Sequence, residues 1–189
     1  ADNWHVLNSV LEVNPNPLSK FQALFYYAQG TIKLPGSLTA AQMETDRFQA
    51  AANEKNFDYY RLSNKGRIAL RYSAALNEAK KDELEITAYG TIKYFQRSQR
   101  TIRLFDRYGL GSSARYIMRR TVGGLDNEFS LGGDWFYQTG PISEFQNVAG
   151  TKTDILQNLS DETIGNTGFY FTNNLELYQK KLYLLVTGR

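Results

Sequence analysis

The stretch YRLSNKGRIALRY, running from Tyr60 to Tyr72, decides the fold. Every second residue belongs to one set: Tyr60, Leu62, Asn64, Gly66, Ile68, Leu70 and Tyr72. Between them lie Arg61, Ser63, Lys65, Arg67, Ala69 and Arg71. Wound as a helix, the segment would spread its cations around every side. Extended, it puts the cations on one face and most apolar residues on the other. The period of two therefore predicts a long strand with two unlike faces.

The pattern repeats downstream. Leu84, Ile86, Ala88, Gly90, Ile92 and Tyr94 share a face, opposite Glu83, Glu85, Thr87, Thr91 and Lys93, with Tyr89 and Phe95 among the latter. Asn77 to Lys81 forms a short polar turn between the two segments. Six more strands are expected at roughly Trp4 to Val13, Lys20 to Lys33, Tyr108 to Met118, Asn127 to Thr139, Thr167 to Leu177 and Leu182 to Arg189. Pro15, Pro17, Pro35 and Pro141 are expected between strands, where no ladder hydrogen bond is lost. Thr39 and Gln42 have capping-box spacing, and a short helix is expected over Ala40 to Gln49.

The connections alternate in length. Asn14 to Ser19, Asn77 to Lys81, Arg119 to Leu125 and Tyr178 to Lys181 are short. Pro35 to Asp58, Arg97 to Arg107 and Gly140 to Asn166 are longer. Alternation places all short turns at one end of an antiparallel sheet and all long loops at the other, as transmembrane barrels do. Tyr60 and Tyr72 would stand roughly 28 Å apart along the membrane normal at ~3.3 Å per residue and a tilt near 45°. A soluble β-sandwich or lipocalin-like barrel also alternates. Its strands usually run about 5 to 6 residues, shorter than several here. The fold class read from the residues is all-β: an antiparallel transmembrane barrel with about eight strands visible.

Composition agrees and excludes several functions. The chain has 189 residues, 14% aromatic, with 13 Tyr and 11 Phe. Its mean hydropathy of -0.47 is uninformative for a barrel in which only alternate residues meet lipid. No apolar run is long enough for a membrane helix, and no signal-like leader opens the chain. There is no cysteine, hence no disulfide or thiolate metal site. A net charge of +3, dispersed among acids, does not point to nucleic acid. His5 is the only histidine, so zinc or nucleophile chemistry has little to work with. The carboxylate pairs Asp161 with Glu162 and Glu83 with Glu85 read as solvated loop and lumen positions. No phosphate-binding or dinucleotide fingerprint occurs, and neither enzymatic activity nor a cofactor is expected.

Several stretches resemble the barrel of TonB-dependent outer-membrane receptors, particularly the ferric-citrate and siderophore type. Leu34-Pro35-Gly36-Ser37-Leu38-Thr39 heads a long loop with a polar helix. Asp106-Arg107-Tyr108-Gly109-Leu110-Gly111 is similar to a strand re-entering the membrane. Leu131-Gly132-Gly133-Asp134-Trp135 is similar to a Gly-Gly-Asp strand core, and Gln138-Thr139-Gly140-Pro141 leads into the next loop. The resemblance implies residues 1–189 are a segment of a 22-stranded barrel whose plug domain lies elsewhere, in the bacterial outer membrane. It implies uptake of an anionic ferric chelate, coupled to the TonB complex through that plug, with lipid and lipopolysaccharide as surroundings. Two alternatives are a self-contained eight-stranded barrel acting as anchor or adhesin, and a soluble β-sandwich binding module.

Two groups of cations are the candidate site residues. Arg61, Lys65, Arg67 and Arg71 share one strand face. Each would cost about 2 to 4 kcal/mol at the bilayer midplane, so that face is expected to form a lumen wall. Arg97, Arg100, Arg103 and Arg107 crowd one connection, and guanidinium forks match the carboxylates of a ferric chelate. Arg100 and Arg103 are the foremost expected ligand contacts.

Overall fold

In a computed structural model, which describes residues 3–79, 81–178 and 181–189, the chain is one antiparallel sheet in the order β1-β2-β3-β4-β5-β6-β7-β8. The strands are β1 Asn3–Asn16, β2 Ser19–Lys33, β3 Tyr60–Ala75, β4 Asp82–Ser98, β5 Thr101–Val122, β6 Leu125–Val148, β7 Thr151–Tyr178 and β8 Leu182–Gly188. Each strand pairs with its neighbours in sequence. β1 and β8 are the two edges, so the sheet is open and is not an eight-stranded closed barrel. It is also single, which removes the sandwich alternative. Lys80, Gln179 and Lys180, which belong to two of the expected turns, lie outside the described residues.

Register carries the two faces from strand to strand. One cross-strand row reads Phe25, Ile68, Gly90, Leu110 and Tyr137; the row beside it reads Tyr26, Arg67, Thr91, Gly109 and Gln138. Directly paired residues point to the same side, so the first row lies on the apolar face and the second on the polar face. The apolar face stays uncovered: Ile68 is 56% exposed, Leu110 59% and Phe169 74%. The only buried hydrophobic residues among those described are Ala28, Ile102, Ile117 and Ile142. A contiguous exposed apolar surface of this extent marks contact with another apolar phase or partner.

The apolar face is a band rather than the whole height. On β5 it runs from Tyr108 to Met118, ten residues on, which at a 45° tilt spans roughly 23 Å. β5, β6 and β7 have 22, 24 and 28 residues, far more than the ~9–11 needed to cross a bilayer. They rise past the band as two paired hairpins.

Those hairpins correct three expectations. Arg97 to Arg107 is not a loop. β4 runs to Ser98, β5 starts at Thr101, and the turn is Gln99 and Arg100 alone. Gly140 to Asn166 is likewise strand, with Ala149 and Gly150 at the tip. Extended pairing continues to the turn: Phe95 faces Phe105 and Arg97 faces Arg103. Prolines also sit differently. Pro141 is inside β6, where the β5 ladder is interrupted opposite Asp106 and Arg107, so its missing N–H costs nothing. Pro15 lies in β1 where the register shifts.

Turn chemistry fits the geometry. Gly123 and Gly124, at φ 59° and 81°, make a two-residue hairpin turn that needs positive φ at both positions. The first long connection alone carries helices, α1 Ala40–Thr45 and α2 Ala52–Asn56. The capping box of Thr39 with Gln42 is present. The helix ends earlier than Gln49 because Asp46 is extended, and α2 was not legible in the sequence.

Candidate functional site

The cations of β3 share the polar face as expected, and the arginines of β4 and β5 join them. Arg61 pairs with Arg97, Arg97 with Arg103, and Arg103 with Glu144. Three guanidiniums therefore stand side by side across β3, β4 and β5, with a carboxylate at the β6 end. Like charges directly opposite each other in a sheet oppose pairing by about 0.2–1 kcal/mol, a cost that an anion laid across the row would remove.

An aromatic rung supports this row from below. Ser63, Phe95, Phe105 and Ile142 are successive partners, and the two phenyl rings meet edge to face at 5.2 Å. Arg61 lies 5.0 Å over Phe95 and Arg103 lies 5.9 Å from Phe105. The Arg61 and Arg103 guanidiniums are each oriented by a ring face, which leaves their N–H edges to acceptors, as where Arg103 Nη2 donates to Glu144. Lys93 approaches Phe95 from the other side at 5.8 Å and pairs with Lys65 and Arg107 in the next cationic row.

Glu144 is the acid of the upper row. The Thr101 hydroxyl donates to its carboxylate, and Arg103 Nη2 donates at 2.8 Å. The Thr101 hydrogen bond, then that of Arg103, holds its carboxyl below the ordinary value, with the Arg97 charge adding to this. The acid stays ionised near neutrality and fixes Arg103. Nε of Arg103 is nonetheless buried without a hydrogen-bond partner, an unsatisfied donor beside the row.

The other expected residues separate by role. Arg107 is buried, at 9% exposure. It donates to the carbonyls of Gly140 at 3.3 Å and Glu162 at 3.2 Å and pairs with the Glu162 carboxylate. It thus seals the interruption beside Pro141. Arg100 is exposed at the β4–β5 tip, away from the row. Arg71 belongs to a lower network with Glu85 and Arg115, at 2.6 Å to each side. Among the described residues, Arg61, Lys65, Arg67, Lys93 and Arg97 make no ion pair. Glu144 was not singled out in the sequence, and Lys93, Phe95 and Phe105 were read only as neighbours of the basic residues, not as part of the site. Phe105 and Glu144 lie beyond the expected ends of their strands, and their meeting with the arginines is set by the register.

No protein-family model matches the sequence, and no curated protein matches it. Solved structures do. The sheet superposes on the ferric citrate transporter FecA in its unliganded form with a TM-score of 0.79 at 15% identity, covering 94% of this chain and 27% of that one. The sheet has the fold of a TonB-dependent receptor barrel. BauA, the ferric preacinetobactin receptor of Acinetobacter baumannii, gives 0.72 at 9% identity over 98% of this chain and 32% of that one. Fiu, the ferric-catecholate import receptor of E. coli K12, gives 0.62 at 9% identity over 94% and 32%. The chain spans less than a third of each receptor, and the shared property at these identities is the barrel fold.

Proposed function

We propose that the chain forms part of the wall of an outer-membrane receptor that takes up an anionic ferric chelate. The observation carrying this is the Arg61, Arg97 and Arg103 row, three cations with one carboxylate, held above an apolar band of bilayer height. In that setting the apolar face meets lipid, with Tyr108 near its upper edge and Tyr116 near its lower edge, and the polar face lines the lumen. The long hairpins and the helical loop stand outside the cell. A chelate rich in carboxylates, or another multiply anionic shell, lays its oxygens across the guanidinium row, which needs no proton transfer and no protein ligand to iron.

Arg61, Arg97 and Arg103 are the ligand contacts in this reading. Lys65, Arg67 and Lys93 extend the positive wall inward, and Arg100 at the tip attracts the incoming anion by long-range steering. A plug domain and TonB coupling, implied by the family resemblance, belong to the parent receptor. The fold likeness to transporters of ferric chelates supports the reading.

The test is uptake of iron-55 by cells carrying or lacking the full gene, supplied as ferric citrate, a ferric hydroxamate or a ferric catecholate. Loss of uptake of at least one chelate, restored by the gene and not by an Arg97→Glu form, is expected. Equal uptake of all three by the deletion strain overturns it.

A further inference from the structure

Just beyond the arginine row toward the hairpin tips, on the opposite side of the sheet from the guanidiniums, three separate connections meet at one side chain. Asn147 near the tip of β6 is 5% exposed. Its Nδ2 lies 3.0 Å from the Phe57 carbonyl, 2.6 Å from the Gln99 carbonyl and 3.1 Å from Ser98 Oγ. Ser98 is fully buried and donates to the same Phe57 carbonyl at 2.9 Å. Oδ1 of Asn147 accepts from the Gly150 amide at 2.8 Å, closing the β6–β7 tip. The end of the helical loop, the β4–β5 turn and the β6–β7 turn are thus joined through one neutral hub. Ile102, 1% exposed, pairs with Ser98 and Phe145 beside it.

The position of the hub gives it a role. Ser98 follows Arg97, Ile102 precedes Arg103, Asn147 lies three residues beyond Glu144, and Phe57 precedes Arg61 by four. The hub bonds the segment before β3, the end of β4 and the end of β6 close to their charges, and β5 is held to them through the Ile102 ladder pairs. The row itself pushes β3, β4 and β5 apart, since its arginines face one another without an intervening acid. A neutral hydrogen-bonded hub beyond it resists that splay without supplying a charge that would compete with an arriving anion. An ionised acid there could not donate to the Phe57 and Gln99 carbonyls and would hold nothing together.

We propose that Asn147 is the positioning residue of the anion site: it locks the helical loop and both hairpin tips into one rim and so holds Arg61, Arg97 and Arg103 at binding distance from one another before the chelate arrives. This rests on the chelate reading of the row. The side chain touches no ligand. Its two amide hydrogens meet carbonyls that only a donor satisfies, so the role is specific to the amide and is not met by size alone.

The experiment uses the full-length receptor in detergent, with ferric citrate and a ferric catecholate as probes, and three forms: unchanged, Asn147→Ala and Asn147→Asp. Spin labels at Lys55 and Ile155, both exposed, report the loop-to-hairpin distance. A narrow distribution in the unchanged receptor and a broad one in Asn147→Ala are expected, with the dissociation constant of the bound probe raised about tenfold. Asn147→Asp places an ionised acceptor against two carbonyls and is expected to match or exceed that loss at pH 7.5. Protonation restores one donor, so its affinity relative to the unchanged receptor at equal pH recovers severalfold by pH 5, while the Asn147→Ala ratio stays flat. An unchanged label distribution in Asn147→Ala overturns the hub. A broadened distribution with unchanged affinity, or an Asn147→Asp ratio as flat as that of alanine, overturns the positioning role. Broadening in a receptor whose unchanged form binds neither probe overturns the chelate reading and leaves the rim as a purely architectural joint.

Discussion

The lower and upper halves of the polar face are built by the same strands, yet they settle their charges differently. Toward the short turns the described strand cations Lys20, Arg71, Arg115, Arg119 and Arg120 each meet an acid. Glu85 sits between Arg71 and Arg115, Arg119 between Glu83 and Glu128, and Lys20 lies 3.3 Å from Glu12. Toward the hairpins, Arg103 alone of the row pairs with an acid, Glu144, and Arg107 with Glu162, while among the described residues Arg61 and Arg97 make no ion pair and Lys65 faces Lys93. Sheet stability alone would favour matching both halves, since cross-strand opposite charges add and like charges subtract. The lower half is what a wall looks like when charge serves structure. The less fully matched upper half is where the proposed reading places the anion.

That contrast can be broken at either end. The largest effect belongs to the upper row: Arg97→Glu in the full receptor is expected to raise the dissociation constant of its chelate at least about 100-fold, because a charge-assisted hydrogen bond worth ~1.5–3 kcal/mol is replaced by repulsion. Titration of chelate against the purified variant measures it, and a change below threefold would remove the row from the binding site. At the lower end, Glu85→Gln leaves Arg71 and Arg115 facing each other. Both are about two-fifths exposed, so solvent screening limits the loss to about 1–2 kcal/mol. Urea unfolding in lipid vesicles should show it, with chelate affinity unchanged within about twofold. An affinity loss there would mean that the two halves are not separable.

The smallest effect is at the acid between the halves of the function. Glu144→Gln removes the one competing carboxylate, and chelate affinity is expected to tighten about threefold at neutral pH. Because its folded pKa lies below the ordinary value, Glu144 stabilises the β5–β6 pairing above the unfolded value of about 4.3, and that support is lost as pH falls through the folded one. The amide protection factors of the hairpin, taken against the intrinsic rate at each pH, should therefore fall as pH drops below the ordinary glutamate value in the unchanged protein and fall less in Glu144→Gln.

Much of this was legible in the residues, for a physical reason. A period of two fixes side-chain direction locally, so the two faces of β3 and β4, and the shared side of Arg61, Lys65, Arg67 and Arg71, followed from the sequence alone. Strand ends were harder. Arg97 to Arg107 reads as a charged loop because polar residues appear on both sides of the chain once it leaves an apolar environment, and alternation of hydrophobicity stops although alternation of direction does not. Pairing across strands is invisible along the chain, so the meeting of Arg61 with Arg97 and Arg103, and of Phe95 with Phe105, needed the register. Asn147 carried no signal at all: its partners Phe57, Ser98 and Gln99 are distant in sequence, and the hub exists only once three turns are brought together.

The hairpins beyond the band have one further consequence. A recognition surface made of irregular loops is ordered mainly when its ligand arrives, and that ordering subtracts from the affinity. Here the surface is laddered strand almost to its tips, so most of its conformational entropy is lost during folding and assembly of the sheet. On the proposed reading, capture would then depend on encounter more than on rearrangement, which suits a ligand that is scarce and soon diffuses away.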